Sequence, residues 1–312
     1  MKIVFMGTPM AAVPSLERIL RDLHEVVAVY TQPDRPAGRG NKIAYSPVKE
    51  FALKHNLPVF QPIKIKTTEA LEEFKTNDAD VAVVVAYGRI LPEGFLNAFS
   101  KGAINVHFSL LPKYRGAAPV NWAIVNGESR TGVTTMRMDA GLDTGDILMM
   151  RETGIGKDET AIDLMERLSL IGADLLSETL ESYDGLTGRP QNDDAATHAP
   201  IMKRGDGLIN WERTAMEISN RVRGFQPFPS SFTHYKGQKL TIWKAVSVSD
   251  SEFRESRERE VLEANGDCLI VSCGQGTLLK IEELQIEGKQ RLATRDFLNG
   301  IKLQIGEKFG GL

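Results

Sequence analysis

The sequence predicts an α/β protein: a Rossmann-like, mostly parallel sheet domain followed by a small β-barrel of the oligonucleotide/oligosaccharide-binding (OB) kind. Three observations carry this. Strand and helix patterns alternate through the first half, and the strands are near-continuous apolar runs, as in a parallel sheet covered on both faces. The texture changes after Gly185 to a polar, turn-rich stretch. Five short strand patterns separated by Gly or Asn turns then follow one more helix.

In chain order, 2–7 is an apolar strand, and 15–23 has helical spacing through Leu16, Ile19, Leu20 and Leu23. The β-branched run 25–30 is a second strand; 47–54 is helical, 58–60 a short strand and 68–74 a helix. The very apolar 81–86 is a strand, 92–99 a helix with proline near its start, 103–107 a strand and 119–125 a helix. Segments 131–138 and 146–151 read as later, antiparallel strands, and 160–183 as a long helix striped by Ala161, Leu164, Leu168, Ile171, Leu175 and Leu176. Beyond the turn-rich 188–195 come a helix at 211–222 and strands at 231–235, 239–246, 261–265, 268–272 and 278–285. The expected organisation is a first domain at 1–188, a linker at 189–208 and a second domain at 209–312. The mixed-charge run 252–260 reads as a solvated loop.

At 312 residues the chain can bury one large core and a smaller one. A net charge of −3 excludes a uniformly basic nucleic-acid binder. The balance is uneven, however. Between Ala199 and Ala245 stand eight basic residues (Lys203, Arg204, Arg213, Arg221, Arg223, Lys236, Lys239, Lys244) against three acids (Asp206, Glu212, Glu217), enough local charge to attract a polyanion or simply to make a solvated face. No apolar run reaches the roughly 18 residues of a membrane span, and no leader pattern precedes the first strand. Cys268 and Cys273 have no further Cys or nearby His to complete a metal site, so reduced thiols and a cytoplasmic protein are expected; a monomer is expected as well.

The first strand ends in Gly7-Thr-Pro-Met, without the dinucleotide fingerprint, and no phosphate-loop, zinc-protease or calcium-loop motif occurs. Asp139, Asp143 and Asp146 are too irregularly spaced for a cation loop, so no metal is expected. The chemistry-bearing stretch is Asn105-Val-His107-Phe-Ser109-Leu110-Leu111-Pro112, joined by Asp139-Ala-Gly-Leu-Asp143-Thr-Gly-Asp146. The strand 103–107 puts an amide and an imidazole two residues apart, hence on one face at its carboxyl end. A carboxylate on a Gly-rich loop can bend to meet them. Amide, imidazole and carboxylate suit acyl transfer, in which a carbonyl is polarised and a proton moved. A lone strand-end histidine is more often structural; the paired amide argues for chemistry here.

These segments resemble the methionyl-tRNA formyltransferases, a family of folate-dependent formyltransferases. The resemblance runs through the whole chain: Phe5-Met-Gly-Thr-Pro9, Thr31-Gln-Pro-Asp-Arg-Pro-Ala-Gly-Arg-Gly40, Ala86-Tyr-Gly88, Asn105 to Pro112, Tyr114-Arg-Gly-Ala-Ala-Pro119, Gly141-Leu-Asp-Thr-Gly-Asp146, Arg223-Gly-Phe-Gln-Pro-Phe-Pro229 and Ile242-Trp-Lys244. Asn-x-His-x-Ser-Leu-Leu-Pro belongs to all folate-dependent formyltransferases, whereas the arginine loop and Gly-Leu-Asp-Thr-Gly-Asp are more specific to the initiator-tRNA enzymes. The resemblance implies 10-formyltetrahydrofolate as co-substrate, methionyl initiator tRNA as acceptor, and Asn105, His107 and Asp143 as the catalytic set. Ser109, Leu110, Leu111, Pro112, Tyr87, Gly88, Ile90 and Pro92 would form the pterin pocket. Arg35, Arg39 and Lys42 on the early loop, with Lys203 and Arg204 in the linker, would contact the tRNA.

The chain departs from the family pattern in three places. Phe108 replaces a small residue or proline and is expected to reshape the folate mouth; Met10-Ala11 replaces an acid-aromatic pair; Ile201 stands where the linker often carries lysine. Four rivals remain. A glycinamide-ribonucleotide formyltransferase leaves 211–312 unexplained, a sugar-nucleotide formyltransferase or formyltetrahydrofolate hydrolase leaves the arginine loop without purpose, and a bare tRNA-binding module leaves Asn105, His107 and Asp143 idle.

Overall fold

A computed structural model describes residues 1–37, 42–249 and 258–310. The chain divides into two compact units: Met1–Pro119, Arg130–Gly154 and Met165–Pro200 form the first, while Val120–Ser129, Ile155–Leu164 and the chain from Ile201 onward form the second.

The first unit is built on a seven-stranded sheet in the order Ile147–Gly154, Arg130–Arg137, Ala103–His107, Val81–Val85, Lys2–Gly7, Glu25–Tyr30 and Val59–Phe60. The last five strands of that order run parallel, and the first two join antiparallel, as their sequences suggest. Val81–Val85 is buried along its whole length, which is why it shows no polar alternation. The chain winds from Lys2–Gly7 outward to Glu25–Tyr30, then returns to place Val81–Val85 on the other side of the first strand. Such a reversal of direction leaves a crevice at the strands' carboxyl ends.

Local chemistry sets the helix limits. Ser46 accepts from the Lys49 N–H at 3.1 Å and Pro47 follows it, so Pro47–Lys54 starts where expected. The first long helix runs Val13–Arg21, two residues short of the expected Leu23. Leu23 instead takes φ +60° and is 92% exposed, so it ends the helix rather than extending its apolar stripe. The segment 92–99 is helical only over Glu93–Leu96. The long helix, Ala161–Glu181, lays Gly172 against Val106 and Phe108: a Cβ there would lie 3.0 and 3.4 Å from their side chains.

The second unit holds the expected OB-like part, a six-stranded antiparallel sheet ordered Ser231–Tyr235, Gln238–Val248, Leu278–Ile286, Cys268–Ser272 and Val261–Asn265, with Leu292–Ala293 alongside Leu278–Ile286. Its helix begins at Ala215, not at 211. Thr214 and Glu217 exchange bonds, Thr214 N–H donating to Glu217 Oε2 at 2.9 Å and Glu217 N–H to Thr214 Oγ1 at 3.3 Å. Trp211 therefore lies outside the helix, buried beside Phe309, with Nε1–H donating to Thr233 Oγ1 at 3.1 Å. The helix Thr294–Gly300, which has too few apolar positions to show a period, is additional to the expected elements. Within the run 252–260, residues 252–257 lie outside the described residues. No helix among the described residues is long and apolar enough to cross a membrane.

Candidate active site

The strand Ala103–His107 ends in the crevice, and its pleat decides which side chains enter it. Asn105 and His107 share one face; Val106 and Phe108 take the other, against Gly172 of the long helix. Phe108 is 5% exposed there, packed away from the face that carries Asn105 and His107. An even residue cannot reach the odd face without a slip of the whole strand.

The Gly-rich loop brings Asp143 to this pair. Asn105 Nδ2–H donates to Asp143 Oδ1 at 3.4 Å, and His107 Nδ1 stands 3.7 Å from Asp143 Oδ2, an ion-pair distance rather than a hydrogen bond. Oδ2 also accepts the Gly116 N–H at 2.8 Å. The imidazole is oriented from its far side. His107 Nε2 lies 3.0 Å from the Tyr114 carbonyl oxygen, which can only accept, so Nε2 carries a proton. In the neutral ring that leaves Nδ1 as the basic nitrogen, facing Asp143 and the crevice. His107 is almost wholly buried and Asp143 is 15% exposed at its side chain.

Asp143 sits at φ +55° in a tightly held loop. Asp139 closes its start, accepting from Gly141 N–H at 3.1 Å and Thr144 Oγ1–H at 2.7 Å. A Cβ on Gly145 would lie 1.9 Å from the Arg137 carbonyl oxygen, so this position needs glycine for close approach. Of the three loop acids only Asp143 meets the strand-end pair. Gln191 braces the loop from outside: its Nε2 donates to the carbonyls of Asp143 at 2.9 Å and Gly145 at 2.8 Å. Arg115, buried, fixes Gln191 in turn through Nε and Nη2 at 3.0 and 2.8 Å from its Oε1. Gln191 falls within the expected linker 189–208, and residues through Pro200 cluster with the first unit. Its only sequence signal was the nearby polar, turn-rich composition, which does not point to a brace.

The expected pterin residues divide by role. Ser109 is buried, its Oγ–H donating to the Lys113 carbonyl at 2.6 Å, and Leu111 packs with Met136 and Ile147. Both build the turn; Leu110 and Pro112 are half-buried, and the Leu110 side chain packs over Gly132 of the strand Arg130–Arg137. Tyr87 is 2% exposed inside the core with Met6, Phe74 and Phe95, so its ring is structural; burial also pushes its phenol upward in pKa. Gly88, at φ +84° with nothing within 4 Å of a Cβ, Ile90, 68% exposed, and the half-buried Pro92 border open space.

The early loop leaves the same crevice edge. Arg35–Ala37 pairs antiparallel with Lys42–Ala44, and Arg35 is exposed. Arg39 lies outside the described residues. The loop's root is fixed by Lys49, whose Nζ donates to Asp34 Oδ2 at 2.5 Å and Gln61 Oε1 at 2.8 Å, holding the Asp34 carboxyl below its usual range. Gln32 Nε2–H donates to the Tyr87 carbonyl at 3.1 Å, and its Oε1 accepts from Arg89 Nε at 3.0 Å. In the second unit, Lys203 and Arg204 are exposed; the Lys203 backbone N–H donates to Asp206 Oδ2 at 2.6 Å, and neither side chain has an ion-pair partner among the described residues. Arg223 is instead structural, its guanidinium bonding the carbonyls of Gly156 and Glu159 and the Asn220 amide oxygen. Among the described residues, no three His, Cys, Asp or Glu side chains converge as a metal-holding group.

Residues 1–180 match the formyl transferase family model, and 201–302 match the formyl transferase C-terminal domain. Methionyl-tRNA formyltransferases of Alkaliphilus oremlandii and Solibacter usitatus are 47% and 48% identical to the chain, covering 99% of it and 100% and 99% of their own lengths. The chain belongs to the methionyl-tRNA formyltransferase family. Solved structures share the fold at lower identity. An N-formyltransferase from Helicobacter canadensis, in complex with folinic acid and dTDP-3-aminofucose, aligns with TM-score 0.67 at 22% identity over 90% of this chain and 98% of that one. HypX from Aquifex aeolicus in complex with tetrahydrofolic acid aligns with TM-score 0.64 at 15% identity, over 99% of this chain and 50% of that one. Members of this family with near half their residues identical extend across both units, second sheet included.

Proposed function

We propose that the chain transfers a formyl group from 10-formyltetrahydrofolate to the free amine of methionyl initiator tRNA, acting as a cytoplasmic monomer. The observation that carries this reading is the 47% identity to a methionyl-tRNA formyltransferase along the whole chain. The convergence of Asn105, His107 and Asp143 supports it from the side of chemistry.

An α-amine titrates near about 8, and lower when it adjoins an ester, so much of it is neutral at working pH and can attack the formyl carbon. The new N–C bond leaves a tetrahedral oxyanion, and the bond to the folate N10 then breaks. Asn105 Nδ2 keeps a second N–H beyond the one given to Asp143, and protonated His107 presents Nδ1–H on the same face. Both can donate to that oxygen, each worth about 3 kcal/mol. Asp143 stabilises the imidazolium across 3.7 Å and holds the Asn105 amide in its donating orientation. The amine proton passes to the departing N10 by way of this pair. The loops 86–92 and 109–112 would hold the pterin through Gly88, Ile90, Leu110 and Pro112 and through backbone groups. Arg35, Arg39, Lys42, Lys203 and Arg204 would meet phosphates or splayed bases of the acceptor.

Purified protein given formyl donor and methionyl initiator tRNA should release tetrahydrofolate and formylate the amine. In parallel reactions, a dTDP-amino sugar and glycinamide ribonucleotide should remain unformylated. Formylation of the sugar in preference to the tRNA would overturn the proposal.

A further inference from the structure

We propose that the second unit carries a site for one unpaired nucleotide of the tRNA, its base stacked on Phe228 and its phosphates held by Arg204 and Lys239; this rests on the acceptor reading above. Phe228 is 46% exposed, and it is the one phenylalanine or tryptophan among the described residues that stands out as an exposed large apolar side chain. It borders a depression of about 380 Å³ whose other walls are Pro229, Phe232, Arg204 and Lys239. Pro229 is buried beneath it, so the ring is mounted on a fixed base rather than a free loop tip.

The charges around this depression have one sign. Among the described residues, no carboxylate lines it. Four of the eight cations of the basic stretch are already committed: Arg213 pairs with Glu217, Lys236 with Glu307 and Lys244 with Glu282, while Arg223 bonds backbone carbonyls. Arg204 and Lys239 have no carboxylate partner among the described residues. Lys239 Nζ lies 4.2 Å from the centroid of the Phe232 ring, which holds the ammonium at the rim by its π face. An apolar protein segment would leave both cations unanswered, and a duplex would offer phosphates but no free base face. An unpaired nucleotide answers both: the base stacks on the exposed ring while the phosphates meet the cations.

The test uses full-length protein and measures its affinity for methionyl initiator tRNA by filter binding at two ionic strengths, with thermal midpoints checked for each variant. Stacking losses on alanine substitution correspond to about 5- to 150-fold in affinity. Phe228→Ala should therefore bind at least about fivefold more weakly with an unchanged salt slope. Phe228→Trp should restore binding, and Phe228→Leu, which keeps apolar bulk without a π face, should not. Lys239→Ala should lower the salt slope by about one. In competition, a single-stranded hexaribonucleotide should displace tRNA from the parent protein, and an abasic hexamer with the same phosphates should do so far less well. Parental affinity in Phe228→Ala, full binding in Phe228→Leu, or equal competition by the abasic hexamer would each overturn the site. Formylation by the parent protein is run alongside: if it succeeds while Phe228→Ala binds normally, the site alone is wrong, and if it fails, the acceptor reading is.

Discussion

Replacing Asp143 by Asn exchanges one oxygen for NH₂ and removes the charge, with almost no change in volume. The Gly116 N–H, 2.8 Å from Oδ2, requires an acceptor, so the new amide must keep its oxygen there. Its NH₂ then faces the Asn105 amide nitrogen across 3.4 Å, donor against donor. Asn105 either loses that bond or rotates, and in both cases its amide no longer keeps the orientation that the proposed mechanism uses. At the same time the imidazolium of His107 loses the carboxylate 3.7 Å away. Each donor to a developing oxyanion is worth about 3 kcal/mol, so losing one or both lowers the chemical rate by roughly 10² to 10⁴, the two losses being coupled and not additive. The assay is single-turnover formylation by rapid quench, with enzyme saturated in both substrates. Folate affinity and the thermal midpoint should stay near the parent's, because neither charge nor bulk is lost from the pterin loops. A single-turnover rate within about threefold of the parent would refute the reasoning and reduce Asp143 to a support for the Gly116 turn.

Gln191→Ala removes both bonds that hold the Asp143 and Gly145 carbonyls; kcat should fall about 10-fold with little change in the tRNA KM, checked by steady-state kinetics. Gly145→Ala forces a Cβ against the Arg137 carbonyl, so chemical denaturation should show a loss of about 2 kcal/mol together with reduced activity. Burial keeps His24 below its ordinary 6.5, so the unfolded chain takes up a proton before the folded one does. Stability should therefore decline as pH drops below 6.5 until the lowered folded value is reached, and His24→Gln should flatten that decline in denaturation midpoints. Burial pushes the Cys273 thiol up to about 12, so native protein should resist alkylation there at mildly alkaline pH, read by mass spectrometry.

The sequence was most legible where burial imposes a period. Val81–Val85 and Ala103–His107 are apolar enough to announce covered strands, and the antiparallel strands of the second unit are cut by Gly or Asn turns that read directly. Element ends were less legible because local bonds set them. The apolar spacing of Leu16, Ile19 and Leu20 continues formally to Leu23, yet the chain turns left-handed there, and Trp211 belongs to the core of its unit without belonging to the helix its spacing suggested. Ribbons as short as Arg115–Gly116 with His198–Ala199 leave no periodic trace at all.

The site divides along the same line. Asn105 and His107 were readable because two residues on one strand must share a face, and Asp143 because a Gly-flanked acid can reach them. What orients the trio was not readable, since those contacts are made by backbone atoms or by residues distant in sequence. The tautomer of His107 rests on the carbonyl of Tyr114, the seat of Asp143 on the N–H of Gly116, and the shape of the acid loop on Gln191, 48 residues beyond Asp143. A carbonyl has no sequence identity, and Gln191 lies in a stretch whose composition reads as a connector. The same limit applies to Phe108, whose unusual side chain drew attention to the folate mouth. The pleat sends it to the helix-covered face instead, where Gly172 leaves room for the ring. Replacing Phe108 by Ala should therefore lower the thermal midpoint before it changes folate affinity.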